Sequence, residues 1–252
     1  MISILLILLI SYILLFLLSI RLKDNSIVDV FWSIGFMITA VVTYIEGIQG
    51  LVQSLVTILV LIWGIRLSSH IGFRKLLERK EDPRYAKWRE EWGNGWYFYI
   101  RSFLQVYILQ MILLLVVAIA IIIVNLYGTV NYNSWITYIG VSVALFGLIF
   151  ESIADRQLAE FIKTKKPGEI FISGLYRYSR HPNYFGESMF WLGISLIAIQ
   201  YSYFGLISWI VITILLLFVS GVPLQEARYA GRPNWEEYKA RTSVFVPWFT
   251  KK

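Results

Sequence analysis

Between Phe103 and Val124 the chain runs for 22 residues without one charged side chain. As a helix rising about 1.5 Å per residue, such a run is long enough to cross a hydrocarbon core of about 30 Å. Six further apolar runs follow the same pattern: Ile2–Ile20, Val30–Ile45, Leu51–Ile65, Trp135–Phe150, Phe185–Ile199 and Tyr203–Val222. Three of these are short, so their ends are set less sharply than their existence. Composition agrees. Hydrophobic residues make up 58% and charged residues 15% of the 252 positions, with mean hydropathy +0.64. A soluble domain averages about 45–50% apolar and about 25% charged residues. The sequence therefore predicts an all-α polytopic membrane bundle of about seven transmembrane helices, one integral-membrane domain over residues 1–252. The first run lacks a basic n-region and an A-x-A cleavage site and is followed by Arg21 and Lys23, as a retained span would be.

The charges set the orientation. All 23 lysines and arginines fall in the segments 21–29, 66–102, 152–184 and 225–252, and none in the alternate loops near Glu46, 125–134 and 200–202. The positive-inside rule then puts the N-terminus outside and the C-terminus in the cytoplasm. The net charge of +7 is a one-sided topological signal, suited to anionic headgroups, and nucleic acid is not an expected partner. There is no cysteine and there are only two histidines, His70 and His181, which excludes disulfides, thiolate nucleophiles and a three-histidine metal site. No metal is expected. G-x-G-x-x-G after a strand, a Walker loop and a G-x-S-x-G elbow are all absent.

Three polar clusters stand between the apolar runs. In RLSSHIGFR, Arg66, His70 and Arg74 share one helical face at the end of the third run. Snorkelling explains the arginines better than it explains the histidine. The following ERKEDPRYAKWREEWG starts a helix near Asp82–Pro83 and reads as a solvated amphipathic segment. The second cluster, ESIADRQLAEF, spaces Glu151 and Asp155 four apart, with Arg156 and Gln157 beside them. Such carboxylates either pair with basic loops or accept from ribose hydroxyls or an amide of a cofactor. The third, SGLYRYSRHPNYFGE at 173–187, joins Arg180 and His181 to three tyrosines, an asparagine and a glutamate, with Lys163, Lys165 and Lys166 upstream. Arginine forks and rigid tyrosine donors suit a phosphate-bearing ligand.

The stretch GLYRYSRHPNYFGE resembles the C-terminal signature of the steroid 5-alpha-reductase family, and especially its bacterial DUF1295 branch. The resemblance extends to D-x-x-W at Asp29 and Trp32, R-L-x-x-H and E-D-P-R-Y within 66–85, A-D-R-Q at 154–157, and R-T-S-x-F-x-P-W at 241–248. It implies a seven-helix enzyme of the bacterial inner membrane that binds NADPH from the cytoplasmic side through its C-terminal half, 140–252. It further implies hydride transfer to a conjugated double bond in a lipophilic acceptor. Carried over, Asp155 and Gln157 match the cofactor-binding A-D-R-Q, and Asn183 and Glu187 the N-x-x-G-E pattern. Tyr176, Tyr178, Arg180 and His181 fall in the cofactor loop, and Lys165 near the K-P-G-E phosphate contact. The substrate half departs from the steroid enzymes. Their second-span glutamate and third-span tyrosine are missing, leaving Asp29 and His70 as the candidate acids, equally able to serve as structural pairing partners.

Two other classes compete. The R-H-P-x-Y core is shared with isoprenylcysteine and phospholipid methyltransferases that use S-adenosylmethionine, although those enzymes carry a paired E-E where this chain has Glu226–Ala227. A transporter or scaffold would show charges in mid-span or duplicated halves, and neither is prominent.

Overall fold

The computed structural model describes residues 1–78, 80–93, 95–129 and 134–251. Among them the chain is helical, and its β-structure is confined to an isolated parallel bridge between Ser179 and Ser243. Six helical segments are long and apolar enough to span a membrane: Ile2–Leu22, Ile27–Glu46, Leu51–Leu77, Trp96–Val117, Trp135–Thr164 and Tyr203–Tyr229. The chain divides into two compact units, Met1–Asn133 and Ser134–Lys252.

The first unit contains α1 (Ile2–Leu22), α2 (Ile27–Glu46), α3 (Leu51–Glu78), α4 (Pro83–Trp92), α5 (Trp96–Ser102), α6 (Leu109–Val117) and α7 (Ile119–Tyr127). A π-helical turn at Phe103–Ile108 joins α5 to α6. The apolar run 103–124 is not one helix. It breaks at Ala118, whose ψ of −4° departs from helical geometry, and α7 then buries residues 120–125 against α2 and α3. A buried amide fixes that packing. Asn125 Nδ2 donates to Ala40 O (3.1 Å), Thr43 Oγ1 (2.9 Å) and Thr57 Oγ1 (3.2 Å), while Gln53 Nε2 donates to Val124 O (3.3 Å). These bonds satisfy the amide N–H groups in an apolar medium, while the side-chain oxygens of Asn125 and Gln53 are buried without a hydrogen-bond partner among the described residues.

The second unit contains α8 (Trp135–Thr164), α9 (Pro182–Ala198), α10 (Leu206–Ile214), α11 (Val222–Tyr229) and α12 (Trp235–Arg241). The sixth expected run, 185–199, is realised as α9, which has 17 residues and is about 25 Å long. It is buried along most of its length between α8 and α10. The α8–α9 contact is backbone against backbone. A Cβ at Gly147 would lie 2.3 Å from Phe190 N, one at Gly193 2.4 Å from Ala144 N, and one at Gly186 2.6 Å from Glu151 N. Helices in lipid gain association from such close approach, because lipid supplies no hydrophobic drive between them. On its other side α9 is pinned to α10, where Trp209 Nε1 donates to Ser188 Oγ (3.1 Å) and Ser188 meets Thr213 (2.8 Å).

Candidate functional site

In the second unit α8 continues beyond the apolar run that defines it in sequence, and this polar extension carries Glu151, Asp155 and Gln157. Glu151 and Asp155 are 2% and 7% exposed, one turn apart on the face toward α9. Gly186 is what lets α9 approach them. Gln157 holds backbone, its Oε1 accepting the Leu175 N–H at 2.9 Å. Gly174, at φ 60°, lies so close that a Cβ would meet Gln157 Oε1 at 2.4 Å. The loop 173–181 is thereby fastened to α8.

That loop places Tyr176 inward, 6% exposed, with its ring 5.0 Å from Phe171. Its carbonyl accepts from Tyr238 OH at 2.5 Å, yet its own hydroxyl is buried with no hydrogen-bond partner among the described residues. Burial first, and the nearby Asp155 carboxylate second, push the Tyr176 phenol well above its ordinary pKa. It is a neutral donor at any physiological pH. Tyr178, by contrast, is exposed, and its carbonyl accepts the Trp248 N–H at 2.9 Å.

Arg180 and His181 face inward as well. The Arg180 guanidinium donates to Glu226 Oε1 (2.8 Å), Lys239 O (2.7 Å) and Thr242 O (3.0 Å), tying the loop to α11 and to the end of α12. His181 precedes α9, stacks on Tyr184 at 5.4 Å and sets Nε2 3.4 Å from Glu226 Oε1. Burial pushes its pKa down to about 4, with Glu226 opposing and Arg180 reinforcing the shift. His181 is therefore neutral near pH 7. Asn183 and Glu187 share one face of α9, the first half-buried and the second 8% exposed.

A cleft of about 320 Å³ opens beside this centre, lined by Lys165, Lys166, Pro167, Gly168, Glu169 and Arg232. Its floor is a tight turn with Gly168 at φ 81°, closed by the Lys166 N–H donating to Glu169 Oε2 at 2.9 Å. Three cations face one carboxylate there. From the cleft an aromatic row leads inward. Arg232 sits 4.6 Å over the Tyr229 ring, Tyr229 stacks on Trp235 at 5.2 Å, and Trp235 packs with Tyr238, whose hydroxyl reaches Tyr176. The second unit therefore brings Asp155, Gln157, Lys165, Tyr176, Arg180, His181 and Glu187 onto one set of packed elements. Within it, Gln157 and Arg180 secure the loop, whereas Lys165 and the Tyr176 hydroxyl are presented to a cleft and an interior.

Asp29 and His70 belong to the first unit. Asp29 opens α2, and both its oxygens are taken: Arg84 Nη2 donates to Oδ2 and Tyr85 OH to Oδ1, each at 2.7 Å. Asp82 caps α4 by accepting the Arg84 N–H at 3.0 Å, and Glu81 accepts from Asn25 N (2.7 Å) and from Arg89 (3.0 and 2.9 Å). The amphipathic segment read in sequence keeps a solvated face at Lys87, Glu90 and Glu91, and its other side is a lock closing α4 over the start of α2. Asp29 is its anchor, each of its two oxygens accepting from a neighbouring side chain. Tyr85 is buried among Tyr12, Val28, Trp92 and Phe98. His70 lies half-buried in α3.

Sequence reasoning missed Arg232 and the pairing role of Glu226. A lone carboxylate directly after an apolar span needs a partner, which was signal enough for Glu226. Nothing local marks Arg232, which reaches the cleft from the turn between α11 and α12. Over residues 15–242 the chain matches the family described as protein of unknown function (DUF1295), and it belongs to that family. No curated protein and no solved structure matches it.

Proposed function

We propose that this member of the DUF1295 family is a membrane-embedded, NADPH-dependent reductase of a conjugated double bond in a lipophilic acceptor. The observation that supports it most is the cationic cleft from which an aromatic row leads to the main-chain carbonyl of Tyr176, a residue whose own buried hydroxyl has no partner among the described residues. NADPH fits that donor set. Its phosphates suit Lys165, Lys166 and Arg232, and its hydroxyls and carboxamide suit Tyr176, Asp155, Asn183 and Glu187. When bound it supplies a hydride, a chemistry that needs neither a metal nor a thiol. The chain's own part is to bind, to orient and to keep water out. Arg180, Gln157 and Glu226 hold the loop, α9 backs it, and Tyr176 offers a neutral hydroxyl. The one-sided basic loops support a cytoplasmic cofactor face and an outside N-terminus, and the family resemblance is the ground for placing the protein in a bacterial inner membrane.

S-adenosylmethionine offers clustered cations one carboxylate and no phosphate, and its sulfonium and ammonium are repelled by them, whereas NADPH brings several phosphate charges; this favours the reductase over the methyltransferase. Calorimetric titration of the purified protein with each cofactor tests the choice. Saturable NADPH binding is expected, weakened at least about tenfold in Arg232→Ala and in Lys165→Ala with Lys166→Ala, from charge-assisted bonds of about 1.5–3 kcal/mol. Binding of S-adenosylmethionine and not NADPH would replace this reading with the methyltransferase one.

A further inference from the structure

After α12 the chain does not trail away. Residues 242–251 form a bent, non-helical strap whose first part, 242–248, crosses the loop 176–181. Ser179 bridges Ser243, Arg180 N–H donates to Ser243 O (2.8 Å), Ser179 Oγ donates to Phe245 O (2.7 Å) and Trp248 N–H to Tyr178 O (2.9 Å). Phe245 turns inward onto Phe185 at 5.8 Å, and Phe185 in turn meets Phe150 of α8 at 5.5 Å. The strap therefore lies level with the first turns of α9 and with the apolar part of α8.

Its outer side is apolar. Val244, Val246, Trp248 and Phe249 are exposed, the last two at 69% and 80%, and Lys251 follows. A strap fixed by this many backbone bonds does not need four exposed apolar side chains for its own folding. Aromatic rings next to lysine, at the level where apolar spans begin, are the composition of a membrane interface. Phe146, Ile149 and Ile153 of α8 are exposed apolar positions as well, and Phe146 meets Phe150 at 5.5 Å, which leads through Phe185 to Phe245 of the strap.

We propose that the Val244–Lys251 strap is a bilayer anchor. Its aromatic edge is seated in the lipid interface, and its inner edge holds the loop carrying Tyr176, Arg180 and His181. The proposal is independent of which cofactor, if any, that loop binds.

The chain has no cysteine, so single-cysteine variants can be labelled cleanly. Phe249→Cys and Val246→Cys carry an environment-sensitive fluorophore in proteoliposomes, with Glu236→Cys, on the exposed face of α12, as the aqueous control. The anchor predicts that labels at 249 and 246 are blue-shifted against the control. Brominated lipids should quench them and aqueous iodide should leave them largely unquenched. Labels at both positions that behave like Glu236→Cys, open to iodide and untouched by brominated lipid, would overturn it. Two strap positions are used so that one poorly folding variant does not leave the question open.

Discussion

Adding one methyl group at Gly147 attacks the packing on which the second unit is built. In Gly147→Ala the new carbon would stand 2.3 Å from Phe190 N, 2.5 Å from Gly186 O and 2.8 Å from Met189 C. All three are main-chain atoms of α9, so no side chain can rotate away. Ordinary contact begins near 3.4 Å, so α9 must withdraw by about 1 Å. The withdrawal would also loosen the Gly186–Glu151 and Gly193–Ala144 approaches on the same interface. Overpacking of this kind costs about 1–3 kcal/mol. At roughly 2–4 °C per kcal/mol for a chain of this size, the melting temperature should fall by roughly 2–12 °C. Differential scanning fluorimetry of wild type and Gly147→Ala in one detergent measures it. Gly95→Ala, where a Cβ would meet nothing within 4 Å, is the control. A Gly147→Ala melt indistinguishable from the control would refute backbone-on-backbone packing of α8 on α9.

Three other perturbations test separate features. His181 is held neutral, with a pKa of about 4 against 6.5 for the unfolded chain, so its contribution is intact above pH 6.5 and is lost as pH falls toward 4. Melting temperature should drop across that window by an amount worth up to about 3 kcal/mol, and His181→Gln should flatten the drop; equal slopes in both proteins would contradict the assignment. Asp29→Asn breaks a pair whose side chains are 24% and 30% exposed, intermediate between surface and core, so a loss of about 1–3 kcal/mol is expected. A double-mutant cycle with Arg84→Met should show coupling, and strict additivity would refute the lock. Asn125→Leu removes a fully buried tie among α2, α3 and α7 and should lower stability in detergent by about 1–3 kcal/mol, whereas an unchanged melt would deny the amide that role.

Much of the architecture was legible because lipid makes apolar length decisive: the runs at 2–20 and 30–45 became helices near their expected places, and the run at 135–150 became the first half of a helix that continues to Thr164. Other features were hidden for identifiable reasons. The break at Ala118 lies inside a uniformly apolar run, where no change of composition marks the point at which lipid gives way to protein. The third apolar run ends at Ile65 and a helical face reads on through Arg74, but nothing local marks the end of α3 at Glu78, because charge at the membrane edge does not interrupt backbone hydrogen bonding. The glycines at 140, 147, 186 and 193 were visible, but only the fold reveals that they face one another. In E-D-P-R-Y the local charge pattern favoured solvent, and the deciding partners, Asn25 and Asp29, lie more than 50 residues away. At the candidate site, 173–187 stood out by its polarity. The division of labour within it, with Arg180 holding backbone and the Tyr176 hydroxyl left without a partner among the described residues, depends on contacts with α8, α11 and α12.

The central claim, that the second unit holds a phosphate-bearing cofactor beside Tyr176, is tested most directly by Tyr176→Phe. The lost hydroxyl has no partner among the described residues, so the melting temperature without ligand should be unchanged or slightly higher. If that hydroxyl donates to bound NADPH, the affinity should fall by about fivefold or more, the equivalent of one hydrogen bond of about 1 kcal/mol. Wild-type and Tyr176→Phe protein binding NADPH equally, or neither binding it at all, would contradict the account.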